Sequence, residues 1–122
     1  MAAPDVAVQI AHLWGGANFA ADALTVYAEA VAARRPATRR LYFDVADAAL
    51  VASTPELAQT VADRLRQIGL DRAFYGSDAA FGNHPDPQGS WAAFRKGIPL
   101  TAAEFEKIAS NVAPYLTNNT ER

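Results

Sequence analysis

Residues 68–81 read Ile-Gly-Leu-Asp-Arg-Ala-Phe-Tyr-Gly-Ser-Asp-Ala-Ala-Phe, and this stretch decides the fold class. Gly69 suits the left-handed position that closes a helix, because glycine has no Cβ to clash there. The mainly apolar residues 70–75 predict a short buried strand. A Gly-Ser pair then bends the chain, so Asp78 stands at the carboxyl end of that strand. A carboxylate among apolar neighbours is costly unless a positive group meets it, which makes Asp78 a candidate functional residue.

Two further strands and four helices are predicted around this stretch. Residues 6–13 are apolar with β-branched side chains and predict a buried strand ending near His12, and residues 41–45 predict another. Periodicity and capping signals predict helices over residues 19–34, 53–69, 90–95 and 101–111. The order strand, helix, strand, helix, strand, helix, helix predicts parallel strands joined by right-handed crossovers. The fold class that follows is α/β.

The bulk composition excludes several classes of protein. The chain has 122 residues, which suits one domain, expected over residues 1–116 with residues 117–122 as a frayed tail. Its net charge of −2, without a basic block, argues against nucleic acid and anionic membranes as partners. No apolar run approaches the roughly 18 residues of a membrane span, and the first residues lack signal-peptide features. The absence of cysteine excludes disulfides and thiolate metal ligands, and a cytoplasmic location is expected.

Four segments resemble, in the same order, the carboxyl-terminal part of the amidohydrolase superfamily. They are IAHLWGGANF at residues 10–19, LYFDVA at 41–46, IGLDRAFYGSDAAF at 68–81 and PLTAAEFEKIASNVAPYL at 99–116. The resemblance is to the metal-dependent hydrolases and decarboxylases related to aminocarboxymuconate-semialdehyde decarboxylase. Those proteins are (β/α)8 barrels. The resemblance therefore implies a partial TIM-barrel-like unit of three parallel strands with covering helices, equivalent to the sixth to eighth barrel strands.

The resemblance also implies a set of site residues. His12 matches a histidine that contacts substrate or metal-bound water, and Asp78 matches an aspartate that binds metal or accepts a proton from the attacking water. Both are expected to be catalytic, with Asp78 as a metal ligand, while Trp14 and Phe81 are placed to contact a small-molecule substrate. The implied cofactor is a divalent metal, with zinc favoured, bound weakly or not at all by this chain alone. The family's His-x-His pair has no counterpart, because the only histidines are His12 and His84.

Each candidate also has a purely structural interpretation. His12 could be a core histidine bonded to a carbonyl group, and Asp78 could cap the turn after its strand. Asp44 is predicted to hold a loop or a neighbouring arginine, and Asp47 and His84 are interpreted as loop residues. The leading functional hypothesis is part of a metal-dependent amidohydrolase-type hydrolase or decarboxylase, inactive as this chain alone. The alternative is a stand-alone small α/β domain that binds a ligand or partner without catalysis.

An incomplete barrel would leave one face of its sheet bare. Parallel sheets normally have both faces covered, and open strand edges are templates for association. We therefore expect a homo-oligomer, a complementing barrel fragment or a terminal helix folded over the inner face.

Overall fold

The structure, a computed structural model, describes residues 6–16, 18–78 and 86–117. Its strands and helices are β1 (Val8–Ile10), α1 (Ala21–Ala32), β2 (Leu41–Asp44), α2 (Ala48–Val51), α3 (Pro55–Ile68), β3 (Ala73–Phe74), α4 (Pro87–Gly97), α5 (Ala102–Ser110) and α6 (Pro114–Thr117). Single 3-10 turns at Pro36–Thr38 and Leu70–Arg72 precede β2 and β3. Phe81, His84 and residues 118–122 of the predicted tail lie outside the described residues. None of the described helices combines the length and apolar character that a membrane crossing needs.

The three strands form one parallel sheet in the order β1-β2-β3, which confirms the predicted α/β class. Ile10 pairs with Phe43, and Phe43 pairs in turn with Ala73. These three side chains share one face, because residues paired directly across neighbouring strands point to the same side of a sheet. Phe43 and Ala73 are fully buried in one hydrophobic core with the apolar faces of α1 and α3. That face is therefore the covered side of the sheet.

The ends of α3 and α5 follow the signals in the sequence. The Thr54 hydroxyl accepts a hydrogen bond from the Leu57 N–H at the start of α3, and Gly69 ends that helix with a φ of 98°. The predicted capping box opens α5. There the Thr101 hydroxyl accepts from the Glu104 N–H at 3.2 Å, and the Glu104 carboxylate accepts from the Thr101 N–H at 2.7 Å. Local side-chain chemistry thus marks where these two helices begin.

The predicted strand at residues 70–75 is wrong in its first half. Residues 70–72 form a 3-10 turn, and only Ala73–Phe74 pairs with β2. The turn lets the Arg72 guanidinium donate from Nη1 to the carbonyl oxygens of Thr38 and Leu41, at 2.8 and 3.0 Å. A charged side chain thus anchors β3 to the start of β2 in place of a longer ladder.

The helices after β2 and β3 also differ from the prediction. The loop of small residues after β2 contains a one-turn helix, α2. The fourth helix begins at Pro87 rather than near residue 90, because the Asp86 carboxylate caps the N–H groups of Gln88 and Gly89 at 3.0 and 3.1 Å. Val112 lies beyond the end of α5 at Ser110 and is 61 % exposed.

The second face of the sheet is partly covered by the end of the chain. Tyr42 and Phe74 stack across β2 and β3 with ring centroids 5.5 Å apart. The Tyr115 hydroxyl of α6 donates to the side-chain oxygen of Gln9 on β1. Leu116 stays 67 % exposed, so α6 shields this face only in part.

The Asn111 side chain closes the far side of β3. Its Nδ2 donates to the carbonyl oxygens of Leu70 and Ala73, at 2.6 and 2.8 Å. One amide group therefore satisfies two backbone acceptors beside the shortest strand, which would otherwise need water or a further strand.

Candidate functional site

The chain leaves β1 through a tight turn that presents His12 at the carboxyl edge of the sheet. His12 and Leu13 both adopt left-handed backbone conformations, with φ of 53° and 66°. The Gly15 N–H closes the turn by donating to the Ala11 carbonyl oxygen at 2.8 Å. Leu13 is completely buried, whereas the His12 side chain stays 26 % exposed. His12 thus belongs to the loop after β1, not to the strand, which ends at Ile10.

Asp44 holds this turn in place from the end of β2. Its Oδ1 accepts hydrogen bonds from the backbone N–H groups of His12 and Ala46, at 3.0 and 3.1 Å. Its Oδ2 accepts from the Gln9 side chain at 3.0 Å. Asp44 therefore ties the loops after β1 and β2 together, which is the loop-holding role expected for it.

The structure brings His12 and Asp78 together, although 65 residues separate them in the sequence between positions 12 and 78. His12 Nε2 lies 3.5 Å from Asp78 Oδ2, and the two side chains are 26 % and 28 % exposed. Asp78 follows β3 and adopts a left-handed backbone conformation with a φ of 50°. The pair can be reached from solvent yet sits in a partly desolvated position, where an ionic or metal contact is stronger than at an open surface.

Asp47 is the site residue that sequence reasoning missed. It immediately precedes α2 and has a left-handed φ of 57°. One ligand atom from each of His12, Asp47 and Asp78 lies within 4.8 Å of the others. The Oδ1 atom of Asp47 is buried. Asp47 comes three residues after Asp44, so its place beyond the carboxyl end of β2 was the available signal.

A cleft of about 180 Å³ opens beside the cluster. It is lined by residues of the strands and of the loops that follow them, among them His12, Asp44, Tyr75 and Asp78. Gly76 lies against Asp44, where an added Cβ would come within 3.5 Å of the Asp44 Cβ. The cleft therefore sits at the carboxyl edge of the parallel sheet, where α/β proteins place their ligands.

Trp14, expected at a substrate rim, is a member of the hydrophobic core. Its side chain is part of the buried cluster and the residue is 5 % exposed. Its Nε1 donates to the Gly16 carbonyl oxygen at 2.7 Å, and its ring lies 5.8 Å from the His12 ring. Trp14 thus packs beside the His12 ring and presents little surface to a substrate. A substrate role for Trp14 stays a prediction, as does that of Phe81, which lies outside the described residues.

The donor set of the cluster fits a divalent transition metal. One imidazole nitrogen and two carboxylate oxygens are ligands that zinc accepts in catalytic sites, which keep a fourth position open. With ligand bonds of about 2.1 Å, neighbouring donors around tetrahedral zinc lie roughly 3.4 Å apart. The 3.5 Å separation of His12 Nε2 and Asp78 Oδ2 already matches that spacing. The ligand atom of Asp47 lies within 4.8 Å of the other two.

Comparisons with protein-family models, with curated protein sequences and with solved structures give no match. Assignment to the amidohydrolase superfamily therefore remains a proposal, which the cluster of His12, Asp47 and Asp78 supports by its chemistry.

Proposed function

We propose that this chain is part of a metal-dependent hydrolase or decarboxylase of the amidohydrolase type, built as a partial TIM barrel and acting on a small molecule. The observation that carries the proposal is the convergence of His12, Asp47 and Asp78 within 4.8 Å at the carboxyl edge of a parallel sheet. The left-handed backbone at all three positions supports it, because strained conformations concentrate at functional sites. The four sequence segments resembling the superfamily point to the same chemistry.

The three side chains have different roles in the proposed site. A divalent ion held there would lower the pKa of a water molecule and polarise a substrate oxygen. His12 would contribute a ring nitrogen as a ligand. Asp47, with one oxygen buried, serves as a ligand. Asp78 would bind through one carboxylate oxygen and keep the other free to accept a proton at the cleft.

Asp44 acts in this proposal as a positioning residue. Its hydrogen bond to the His12 N–H fixes the backbone from which the imidazole projects. Its second bond, to the Ala46 N–H, fixes the chain one residue before Asp47. Outer groups of this kind orient metal ligands and tune their affinity.

The size of the cleft is the reason to expect a second unit. Its volume of about 180 Å³ is below the roughly 300 Å³ at which complete ligand pockets begin. A complementing fragment or a second copy of the chain would supply further walls and ligands. We therefore expect only weak metal binding and no turnover from the chain alone.

Metal titration of the purified chain tests the proposal. Isothermal titration calorimetry with zinc should show one ion per chain, which a chelator removes. Asp78→Asn should weaken zinc binding at least tenfold, whereas Asp22→Asn, an exposed aspartate on α1, should leave it unchanged. A wild-type chain that takes up no zinc, or a D78N variant that binds as tightly as wild type, would rule out the site.

A second candidate function has a specific observation in its favour. Tyr115 of α6 bonds to Gln9 across the second face, and Asn111 caps β3, so the chain closes part of its own sheet. These contacts favour a self-contained domain that binds a ligand without catalysis. Light scattering after size-exclusion chromatography separates the two. A monomer at tens of micromolar that binds no apolar dye favours the self-contained domain, and a dimer favours the partial barrel.

A further inference from the structure

A second polar cavity lies at the opposite end of β2, where the chain enters that strand. Its volume is about 230 Å³, and four of its seven lining residues are arginines: Arg34, Arg35, Arg39 and Arg72. The candidate metal site formed by His12, Asp47 and Asp78 lies beyond the carboxyl end of the same strand. At about 3.3 Å per residue, the four residues of β2 alone separate the two places by roughly 13 Å.

The local fold explains why these arginines meet. Arg34 adopts a left-handed conformation with a φ of 52° just after α1, which turns the chain toward the 3-10 turn at Pro36–Thr38. The buried Thr38 hydroxyl donates to the Arg35 carbonyl oxygen at 2.8 Å and fixes that turn. Arg72 arrives from the turn before β3 with its Nη1 committed to backbone carbonyl groups. The cavity therefore has a rigid wall formed by Arg72 and an exposed rim formed by the other three.

The charge in this cavity has no acidic counterpart. No acidic residue lines it, and among the described residues Arg34, Arg35 and Arg39 form no ion pair. The whole chain carries a net charge of −2 with only eleven lysines and arginines, so four of them around one cavity is a marked concentration. Like charges held together repel, and a bound anion would relieve that repulsion.

We propose that this cavity binds a phosphate group carried by a small molecule. Arginine forks match phosphate oxygens with paired hydrogen bonds, and the cavity has room for one or two phosphate groups. A nucleic-acid backbone is a poorer fit, because it needs an extended basic surface on a chain of positive charge. The position remote from His12 and Asp78 makes this a second binding site. It holds an effector or a distant anchor of a ligand, and it does not depend on the proposed hydrolase chemistry.

Titration with inorganic pyrophosphate at constant ionic strength tests the proposal. The double variant Arg35→Gln/Arg39→Gln removes two exposed charges and leaves Arg72 to hold β3 in place. We expect this variant to bind pyrophosphate at least tenfold more weakly than wild type. The matched control, Lys96→Gln/Lys107→Gln, removes the same charge from exposed positions and should bind as wild type. Unchanged thermal unfolding without ligand would show that both variants are folded.

Three results would overturn the proposal. One is a wild-type chain that does not bind pyrophosphate. Another is an equal loss of affinity in the two double variants, which would mean that binding follows total charge rather than this cavity. The third is succinate binding as tightly as pyrophosphate at the same ionic strength, which would deny the preference for phosphate.

Discussion

The backbone N–H of His12 donates to the carboxylate of Asp44 across 3.0 Å, joining the loop after the first strand to the end of the second. The same carboxylate oxygen accepts from the Ala46 N–H, so one side chain sets the positions of two loops of the candidate site. The site is thus held by an aspartate that need not touch a substrate.

Replacing Asp44 should therefore destabilise the fold and disturb the site together. Asp44→Ala removes the acceptor for two backbone N–H groups and for Gln9, and leaves partly buried donors unsatisfied. We expect a loss of about 2–3 kcal/mol in the free energy of unfolding, measured by urea denaturation. Glu106→Ala, an exposed acid on α5, is the control and should change stability by less than about 0.5 kcal/mol. An unchanged midpoint for D44A would contradict this account.

Asp47 should matter for metal binding. Asp47→Asn keeps the shape of the side chain but removes the charge that a cation needs, so zinc affinity should fall at least tenfold. Competition with a fluorescent zinc chelator measures the change, with Asp22→Asn as control. If D47N binds zinc like wild type while D78N does not, Asp47 is outside the ligand set.

The ion pair between Arg66 and Glu104 should give stability an acid-sensitive component. Hydrogen bonds from Arg66, and next from the Thr101 N–H, lower the pKa of Glu104 from 4.5 to about 2. The folded state thus prefers the ionised carboxylate. The stabilisation is full above about pH 4.5 and is lost as the pH falls toward 2.

Glu104→Gln tests this component. Because the pair is partly exposed, we expect a loss on the order of 1 kcal/mol at pH 7 and a flatter decline of stability below pH 4.5. Thermal unfolding at a series of pH values is the measurement. Glu106→Gln, on the same helix but without an ion pair among the described residues, should follow the wild-type curve. Parallel curves for E104Q and wild type below pH 4.5 would refute the prediction.

Asn111 should contribute more to stability than its partly exposed position suggests. Asn111→Ala removes both hydrogen bonds to the carbonyl oxygens of Leu70 and Ala73, and we expect a loss of about 2 kcal/mol. Asn111→Asp should cost at least as much, because a carboxylate cannot donate to those oxygens. Asn18→Ala, an exposed asparagine, is the control. Urea denaturation measures the free energy of unfolding of the three variants. An N111D variant as stable as wild type would contradict the prediction.

Much of the fold could be predicted from local signals, and the exceptions have physical reasons. The alternation of strands and helices along the chain and the caps at Thr54 and Thr101 follow from periodicity and side-chain chemistry that act within a few residues. The 3-10 turn before β3 comes with hydrogen bonds from Arg72 to carbonyl groups more than thirty residues away, which no local pattern reports. The early start of α4 does have a local cause, because the Asp86 carboxylate caps the first N–H groups of that helix.

The candidate site could be predicted only in part for the same reason. His12 and Asp78 both follow parallel strands, so their meeting at one edge was foreseeable. Asp47 also follows a strand, but its side chain reaches the pair because of its left-handed backbone, a conformation that an aspartate seldom adopts. The Arg-lined cavity was missed because Arg72 lies far from Arg34, Arg35 and Arg39 in the sequence.

The Asn111 side chain blocks one edge of the sheet, the edge formed by β3. The Phe74 carbonyl accepts from the Val45 N–H at 2.9 Å, so the neighbouring Ala73 carbonyl points to the opposite side, where Asn111 occupies it. A further strand that paired with β3 would have to displace the Asn111 side chain. At the outer edge of β1, by contrast, no described residue forms a backbone hydrogen bond with the strand. A strand that lengthens this sheet should therefore dock first beside β1, and closing a barrel around the sheet would require Asn111 to release the edge of β3.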